Sequence, residues 1–217
     1  MLAPGSHAAL FFALTAMASA AQTWCLDNLQ SIGGKDVAVV GRPAVVDTEV
    51  GKALRFDGAH DGIFVPAIPT AGSVAFTIEV LFRPREGGDT EQRFFHLQDA
   101  DQKRSLLEIR VDHKGGWWLD AFLKTKPDPD KGLALIDPTK VHPTNRWYWA
   151  AMRYDGKHFA CFVNGVKEVE ADGAFTALGE GKVSIGVRQN LLYWFKGDVR
   201  EVRWHREAIA DAALHRR

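Results

Sequence analysis

Short segments in which apolar and polar residues alternate recur along most of this chain. A period of two places successive side chains on opposite faces of a strand, so each segment predicts a strand with one buried face. In the clearest of them, Phe76, Ile78 and Val80 form the apolar set and Glu79 lies on the opposite face. Examples of the ten or more predicted strands cover residues 52–57, 63–66, 76–84, 93–98, 106–112, 117–123, 147–154, 159–164, 183–188 and 198–204.

Glycine-containing dipeptides separate these segments and mark turns. Asn164-Gly165 is the clearest two-residue hairpin signal, because both central positions of a type I′ turn need positive φ. Residues 124–137 hold too much proline and charge for a central strand and are predicted to form a loop, whereas residues 207–217 have helical character. Ten short strands without intervening helices predict one all-β domain, a two-sheet antiparallel sandwich.

Composition and charge narrow the partners of this domain. The 27 Lys and Arg residues balance 27 Asp and Glu residues, so no overall positive field favours nucleic acid or acidic lipid. Charged residues make up 25% of the chain, which excludes a polytopic membrane protein and a disordered chain. Seven Trp and thirteen Phe suit a strand-rich core, an aromatic binding face, or both.

The first 26 residues contain no Asp, Glu, Lys or Arg. Residues 8–18 are an apolar run about half as long as the ~20 residues of a membrane-spanning helix, and small residues follow at 18–21. This pattern predicts a signal peptide at 1–21, a mature domain at 22–217 and a secreted or periplasmic location. An ordinary N-terminal helix is the alternative.

Export changes the interpretation of the two cysteines, Cys25 and Cys161. In an oxidising compartment, a disulfide between them would attach the mature N-terminus to the body of the domain. We predict this bond. The alternative is a pair of free thiols that behave as small apolar side chains.

Six motifs, in order, resemble the LamG-like (laminin G, concanavalin A-like) jelly-roll family. They are ALRFDG at 53–58, FTIEV at 76–80 before Arg83-Pro84, Trp147 leading to YDG at 154–156, FVNG at 162–165, SIG at 184–186, and FKGDVREVR at 195–203 with AIA at 208–210. The resemblance implies a jelly-roll of two packed antiparallel sheets. This architecture supports lectins, adhesive modules, hydrolases and lyases alike, so it implies the fold more narrowly than the function.

The alternation of apolar and polar residues also indicates which polar side chains point away from the core of such a jelly-roll. In residues 106–112, Leu107 and Ile109 point inward and leave Glu108 and Arg110 outside. If the outward sets of several strands share the concave sheet, they form a polar floor with one exposed indole, which suits a sugar. The alternative is a solvated face with cross-strand ion pairs. The candidate ligand-binding residues are Glu79, His96, Glu108, Arg110, Trp118, Asp120, Arg188 and Asn190.

The sequence therefore favours a secreted LamG-like binding module with a carbohydrate or polysaccharide ligand. One alternative is a glycoside hydrolase or polysaccharide lyase on the same scaffold, and another is a structural or protein-interaction module of a cell-envelope assembly. The E-x-D-x-x-E string of laminarinase-type jelly-rolls is missing. Only Gln98, His96, Arg110 and Tyr193 offer loose lyase candidates, so no catalytic residue is predicted.

Calcium is the one cofactor that the resemblance suggests. LamG-like domains often hold a structural Ca²⁺ through backbone carbonyls and one or two Asp, and Asp57 and Asp61 lie in a suitable turn. Against calcium, Arg200 occupies a position where many family members carry Asp. The alternative is that Asp57 caps its own turn.

Overall fold

A computed structural model describes residues 21–125 and 131–217, so the predicted signal peptide lies outside the described residues except for Ala21. The strands are β1 (Gln22–Cys25), β2 (Ser31–Ile32), β3 (Lys35–Asp36), β4 (Ala38–Val40), β5 (Ala44–Thr48), β6 (Gly51–Asp57), β7 (Gly62–Val65), β8 (Phe76–Pro84), β9 (Glu91–Asp99), β10 (Arg104–Val111), β11 (Gly116–Lys124), β12 (Leu133–Ile136), β13 (His142–Pro143), β14 (Tyr148–Tyr154), β15 (His158–Val163), β16 (Val166–Asp172), β17 (Gly181–Ile185) and β18 (Lys196–His205).

Most of these strands form two large antiparallel sheets. The first sheet has the order β16-β15-β14-β8-β18-β6-β5, and β1 also pairs with β18. The second sheet has the order β12-β11-β10-β9-β17-β7-β4, and β13 also pairs with β11. Strands distant in sequence are neighbours in both sheets, which confirms the predicted all-β antiparallel jelly-roll sandwich.

The core lies between the sheets and is rich in aromatic side chains. Phe82 of the first sheet stacks on Phe94 of the second, with ring centroids 4.1 Å apart, and Trp117 meets Phe82 edge-on at 5.2 Å. Leu107 and Ile109 are fully buried in this core, as alternation predicted. The opposite face of each sheet is therefore free to carry polar side chains.

The local structure confirms the hairpin that the sequence predicts and differs from the prediction in two other segments. Asn164 and Gly165 both have positive φ, at 50° and 72°, which confirms the predicted turn. Residues 124–137 were expected to be a loop, but β12 forms there and pairs with β11; residues 126–130 lie outside the described part. The expected C-terminal helix reduces to one 3₁₀ turn, Asp211–Ala213. No helix among the described residues is long and apolar enough to cross a membrane.

The C-terminal tail instead covers the outer face of the first sheet. Thr77 on β8 donates a hydrogen bond to the carbonyl of Glu207 at 2.9 Å and accepts one from the Ile209 amide. Two positions along the same strand, Glu79 accepts a 2.7 Å bond from the amide of His215. The tail thus covers part of the outer face of the first sheet.

The predicted disulfide is wrong, because both cysteines are free. Cys161 is fully buried in the core on β15, whereas Cys25 is exposed on β1. Strands β14, β8 and β18 separate them in the sheet, a span of about 19 Å at ~4.8 Å per strand. A disulfide requires Cα atoms within about 7 Å. Neither the alternation of side chains along a strand nor an oxidising compartment indicates how many strands lie between two cysteines in a sheet.

Candidate functional site

Five charged side chains form one network on the outer face of the second sheet. Glu108 on β10 pairs across the ladder with Asp120 on β11 and with Arg93 on β9. Arg93 Nε donates to Glu108 Oε2 at 2.5 Å, and Arg110 bonds Asp120 Oδ2 through Nε at 3.0 Å and Nη2 at 2.9 Å. Glu91 joins the two arginines, because it accepts hydrogen bonds from both. Charges alternate along this network, so it holds three strands in register.

Burial controls the titration of this network. It raises the pKa of Glu108 to about 8, although the neighbouring Arg93 guanidinium favours the ionised form. Burial alone would lower the pKa of Arg110, but its hydrogen bond to Asp120 and the charges of Glu108 and Glu91 raise it overall. Arg110 therefore stays cationic and keeps the carboxylates paired.

Trp118 is the neighbour of this network on β11. It pairs across the ladder with Arg110, so the two side chains lie side by side on the outer face. Its indole is half-buried, and its Nε1 has no hydrogen-bond partner among the described residues. An aromatic side chain therefore adjoins the charged network.

The segment 187–194, between β17 and β18, folds back over the middle of the same face. Two guanidinium groups contact the ring of Tyr193, with Arg93 Cζ 4.5 Å and Arg188 Cζ 5.9 Å from its centroid. The amide of Gln189 donates a 3.3 Å bond to Nδ1 of His96, which is fully buried beneath the segment. Burial and the charges of Arg93, Arg188 and Arg104 hold the pKa of His96 well below its usual range.

A cavity of about 580 Å³ opens where this segment meets the end of β9 and the start of β17. Its polar lining comes from strand ends and from the overlying segment rather than from one motif. Apart from Asp99, the polar side chains that line the cavity are Gln98, Gln102, Lys182, Arg188, Gln189 and Asn190. Four of these six are amides, which both donate and accept hydrogen bonds.

The sequence of the chain identifies the family. The profile of the concanavalin A-like lectin/glucanases superfamily matches residues 57–215. The chain belongs to this superfamily. No curated protein sequence matches it.

Several solved structures share the fold of this concanavalin A-like domain. Domain 4 of AbnA, an extracellular GH43 arabinanase from Geobacillus stearothermophilus solved with arabinotriose, is 17% identical with a TM-score of 0.59, over 88% of this chain and 93% of that one. The Ruminococcus gnavus IT-sialidase CBM40, bound to α2,6 sialyllactose, is 21% identical with a TM-score of 0.52, over 64% and 80%. The ligand-binding domain of botulinum neurotoxin serotype D, solved with N-acetylneuraminic acid, is 11% identical with a TM-score of 0.65, over 87% and 48%. At these identities the likeness shows the fold alone.

Seven of the eight predicted ligand-binding residues of the concanavalin A-like domain lie on or beside the outer face of the second sheet, but Glu79 does not. It belongs to β8 in the first sheet, is fully buried under the C-terminal tail, and bonds Nδ1 of His215 at 3.0 Å. This corrects the prediction of a single floor. Alternation placed Glu79 outside the core correctly, but it could not say on which sheet.

Asp57 and Asp61 direct their carboxylates at the backbone. Asp57 Oδ1 accepts hydrogen bonds from the amides of Ala59, His60 and Asp61 at 2.8–3.1 Å. Asp61 accepts one amide bond at each oxygen, from Arg42 and from Asp57. No group of three His, Cys, Asp or Glu side chains suited to a metal occurs in the described ranges. This geometry fits the turn-capping alternative better than a calcium shell.

The four residues considered as candidates for lyase chemistry, Gln98, His96, Arg110 and Tyr193, differ in their exposure to solvent. Arg110 and Tyr193 are partly exposed, but His96 is fully buried and its Nδ1 is occupied by the Gln189 amide. A base in this position cannot reach a substrate on the sheet. His96 is therefore not placed to abstract a proton from a substrate on the sheet.

Several residues of the site were not among the candidates predicted from the sequence. Glu91 and Arg93 complete the ion-pair network, and Gln102 and Gln189 line the cavity. Glu91 begins its strand two residues before the predicted start, and a bulge opposite Leu107/Glu108 breaks the alternation. The two charged residues within 91–93 are the sequence feature that could have indicated this part of the network.

Proposed function

We propose that this concanavalin A-like domain is a glycan-binding module whose ligand lies on the outer face of the second sheet and enters the cavity at its end. The observation that carries this proposal is the convergence of amide side chains on a cavity of about 580 Å³. That volume falls in the range of about 300–1,000 Å³ typical of small-ligand sites.

The amide side chains keep hydrogen-bonding capacity that a sugar can use. Gln98 Nε2 donates to Gln102 Oε1 at 2.8 Å, which leaves the Gln98 oxygen as an acceptor and the Gln102 amide nitrogen as a donor. Gln189 donates to the carbonyl of Lys182 at 2.7 Å and keeps its own oxygen. Each sugar hydroxyl both donates and accepts, so such a mixed lining matches its chemistry.

The neighbouring network and indole extend this surface along the sheet. The network members Arg93, Glu108 and Asp120 are nearly buried. The groups open to a ligand are therefore the partly exposed Arg110, Glu91 and Trp118. They stand on paired strands, which hold them rigidly, so their contact with a ligand costs little protein entropy. Trp118 offers an apolar ring face beside Arg110, a combination that covers the C–H face of a pyranose and bonds its hydroxyls. Neighbouring structures with the same fold were solved with arabinotriose, sialyllactose and N-acetylneuraminic acid, which supports a sugar as the ligand class.

Location outside the cytoplasm is part of the proposal. It is supported by the apolar run at 8–18 and the small residues at 18–21. Expression with the intact N-terminus, followed by N-terminal sequencing of the exported protein, should find a first residue near Ala21 or Gln22. Retention of residue 1 in a cytoplasmic product contradicts export.

Affinity electrophoresis through a panel of polysaccharides, together with a glycan array, tests the binding function. We expect the purified protein to bind at least one glycan, and Asn190→Ala and Gln98→Ala each to weaken that binding by about tenfold. Gln30→Ala removes an exposed amide that does not line the cavity and serves as the matched control. Absence of binding across the panel, or binding that both cavity variants retain, overturns the proposal.

A further inference from the structure

The cavity has an imbalance of charge. Its two cations, Lys182 and Arg188, form no ion pair with any carboxylate among the described residues. Its one carboxylate, Asp99, is already satisfied. Asp99 Oδ1 accepts the amides of Asp101 and Lys103, and Oδ2 accepts the amide of Gly179 and pairs with Lys103 Nζ at 3.1 Å.

Arg188 is half-buried beside another cation, so its lack of an ion-pair partner among the described residues is significant. Arg188 and Arg93 both contact the ring of Tyr193. Arg93 forms ion pairs with Glu91 and Glu108, whereas Arg188 forms no ion pair with a described carboxylate. Burial and the charge of Arg93 lower the pKa of Arg188. A half-buried guanidinium that contacts the same ring as a second guanidinium gains from any anion brought to it.

We infer that the cavity binds the anionic group of an acidic sugar, with Arg188 as the main partner of that group and Lys182 as the second. This inference rests on the proposed glycan binding and specifies its ligand class. A guanidinium forms two parallel hydrogen bonds to a carboxylate or to a sulfate ester, and the surrounding amides are left for the hydroxyls of the ring.

The same geometry discriminates against neutral sugars and against nucleic acid. A neutral sugar that fills the cavity removes water from Arg188 without supplying a counter-charge, which costs binding energy. None of the described residues that line the cavity is aromatic, so the cavity itself offers no ring on which a base of single-stranded nucleic acid could stack. The balanced charge of the whole chain also gives no extended positive track for a polyphosphate.

A glycan array of matched acidic and neutral ligands tests the inference. The pairs are sialyllactose and lactose, polygalacturonate and its methyl ester, and dextran sulfate and dextran, with an oligothymidylate as the nucleic-acid probe. The proteins are wild type, Arg188→Gln and Lys182→Gln. The control variant is Arg206→Gln, which removes an exposed cation beyond the far end of β18. Thermal melting of each variant confirms that it is folded.

We expect the bound glycans to be acidic, with binding reduced at least tenfold by Arg188→Gln, reduced less by Lys182→Gln, and unchanged by Arg206→Gln. Binding to the carboxylated pairs identifies a carboxylate as the recognised group, and binding to dextran sulfate alone identifies a sulfate ester. Equal binding to acidic and neutral partners, or full binding by Arg188→Gln, overturns the inference while glycan binding stands. Equal binding to the oligothymidylate also overturns it, and no glycan binding at all overturns both proposals.

Discussion

The guanidinium of Arg93 lies over the ring of Tyr193, with its Cζ 4.5 Å from the ring centroid. The backbone reinforces this contact, since the Arg93 amide donates a 2.9 Å bond to the Tyr193 carbonyl. Arg93 also belongs to the ion-pair network of the second sheet, through Glu108. This cation–π pair therefore joins the segment 187–194 to the sheet and positions the residues that line the cavity.

Replacement of Tyr193 should loosen the segment 187–194. Tyr193→Ala removes the cation–π contact and ring packing, so we expect the free energy of unfolding to fall by about 1–2 kcal/mol and any glycan binding to weaken. Tyr193→Phe keeps the ring and should stay within about 0.5 kcal/mol of wild type. Urea denaturation measures both values. Equal stability of the alanine and phenylalanine variants would show that the ring contact contributes nothing.

The two free thiols should differ in reactivity. Cys25 is exposed, whereas Cys161 is fully buried and burial raises the pKa of its thiol to about 12. Titration with Ellman's reagent should modify one thiol in the native protein and two in denaturant, and the native reaction should disappear in Cys25→Ser. A reducing agent should leave the melting temperature unchanged. A drop in melting temperature on reduction would show that a disulfide forms after all.

Acidification should remove the contribution of His96 to stability, while the raised pKa of Glu108 acts in the opposite direction over the same pH range. The folded-state pKa of His96 lies well below the value of about 6.5 expected in the unfolded chain. Below about pH 6.5 the unfolded chain takes up a proton that the folded state excludes, so stability present at neutral pH is lost as the pH falls. The contribution of Glu108 is common to both proteins, so between pH 8 and 5 the melting temperature of wild type should fall relative to that of His96→Phe. Parallel pH profiles of the two proteins argue against this role.

Asp198 should be the most sensitive carboxylate of the first sheet. Its side chain is fully buried and accepts bonds from Arg55 Nε at 2.7 Å and Arg83 Nε at 2.8 Å, which joins β6, β18 and β8. Asp198→Asn leaves two arginines without their shared partner, and we expect a loss of about 3 kcal/mol or more in unfolding free energy.

The exposed pair of Asp47 and Lys52 provides a matched control for that substitution. Its atoms are 2.9 Å apart, but the Asp47 side chain is 87% exposed, so Asp47→Asn should cost less than about 1 kcal/mol. Chemical denaturation of both variants gives the comparison. Similar losses in the two proteins would mean that burial of Asp198 does not set its contribution.

Calcium should have little influence on the turn at Asp57. The carboxylates of Asp57 and Asp61 already accept backbone hydrogen bonds, so the turn does not need a metal to hold it. We expect melting temperatures in millimolar CaCl₂ and in EDTA to agree. A clear rise with calcium that Asp61→Asn abolishes would establish the structural calcium site that the family resemblance suggested.

The sequence by itself determined the fold class and the facing of most strand residues. Both follow from local periodicity, because a side chain's face depends on its position along one strand. Residues 76–84 were predicted with the bounds of β8, and Leu107 and Ile109 were correctly placed in the core. The hairpin at Asn164-Gly165 followed from the φ requirement of a single turn.

Tertiary structure decided everything that depends on which strands are neighbours. Glu79 and Glu108 both point away from the core, but they lie on opposite sides of the sandwich because β8 and β10 belong to different sheets. Cys25 and Cys161 share a sheet and remain unpaired because three strands separate them. A single sequence encodes the period of each strand, while pairing depends on the packing of the whole chain.

The bulge in β9 and the fold-back of the segment 187–194 were also invisible in the sequence. The bulge turns Phe94 into the core although it shares sequence parity with His96, which lies on the outer side beneath Gln189. Periodicity cannot register an inserted residue. The cavity depends on both features, because it forms only where a loop distant in sequence closes over a strand end, and such contacts have no local signature in the chain.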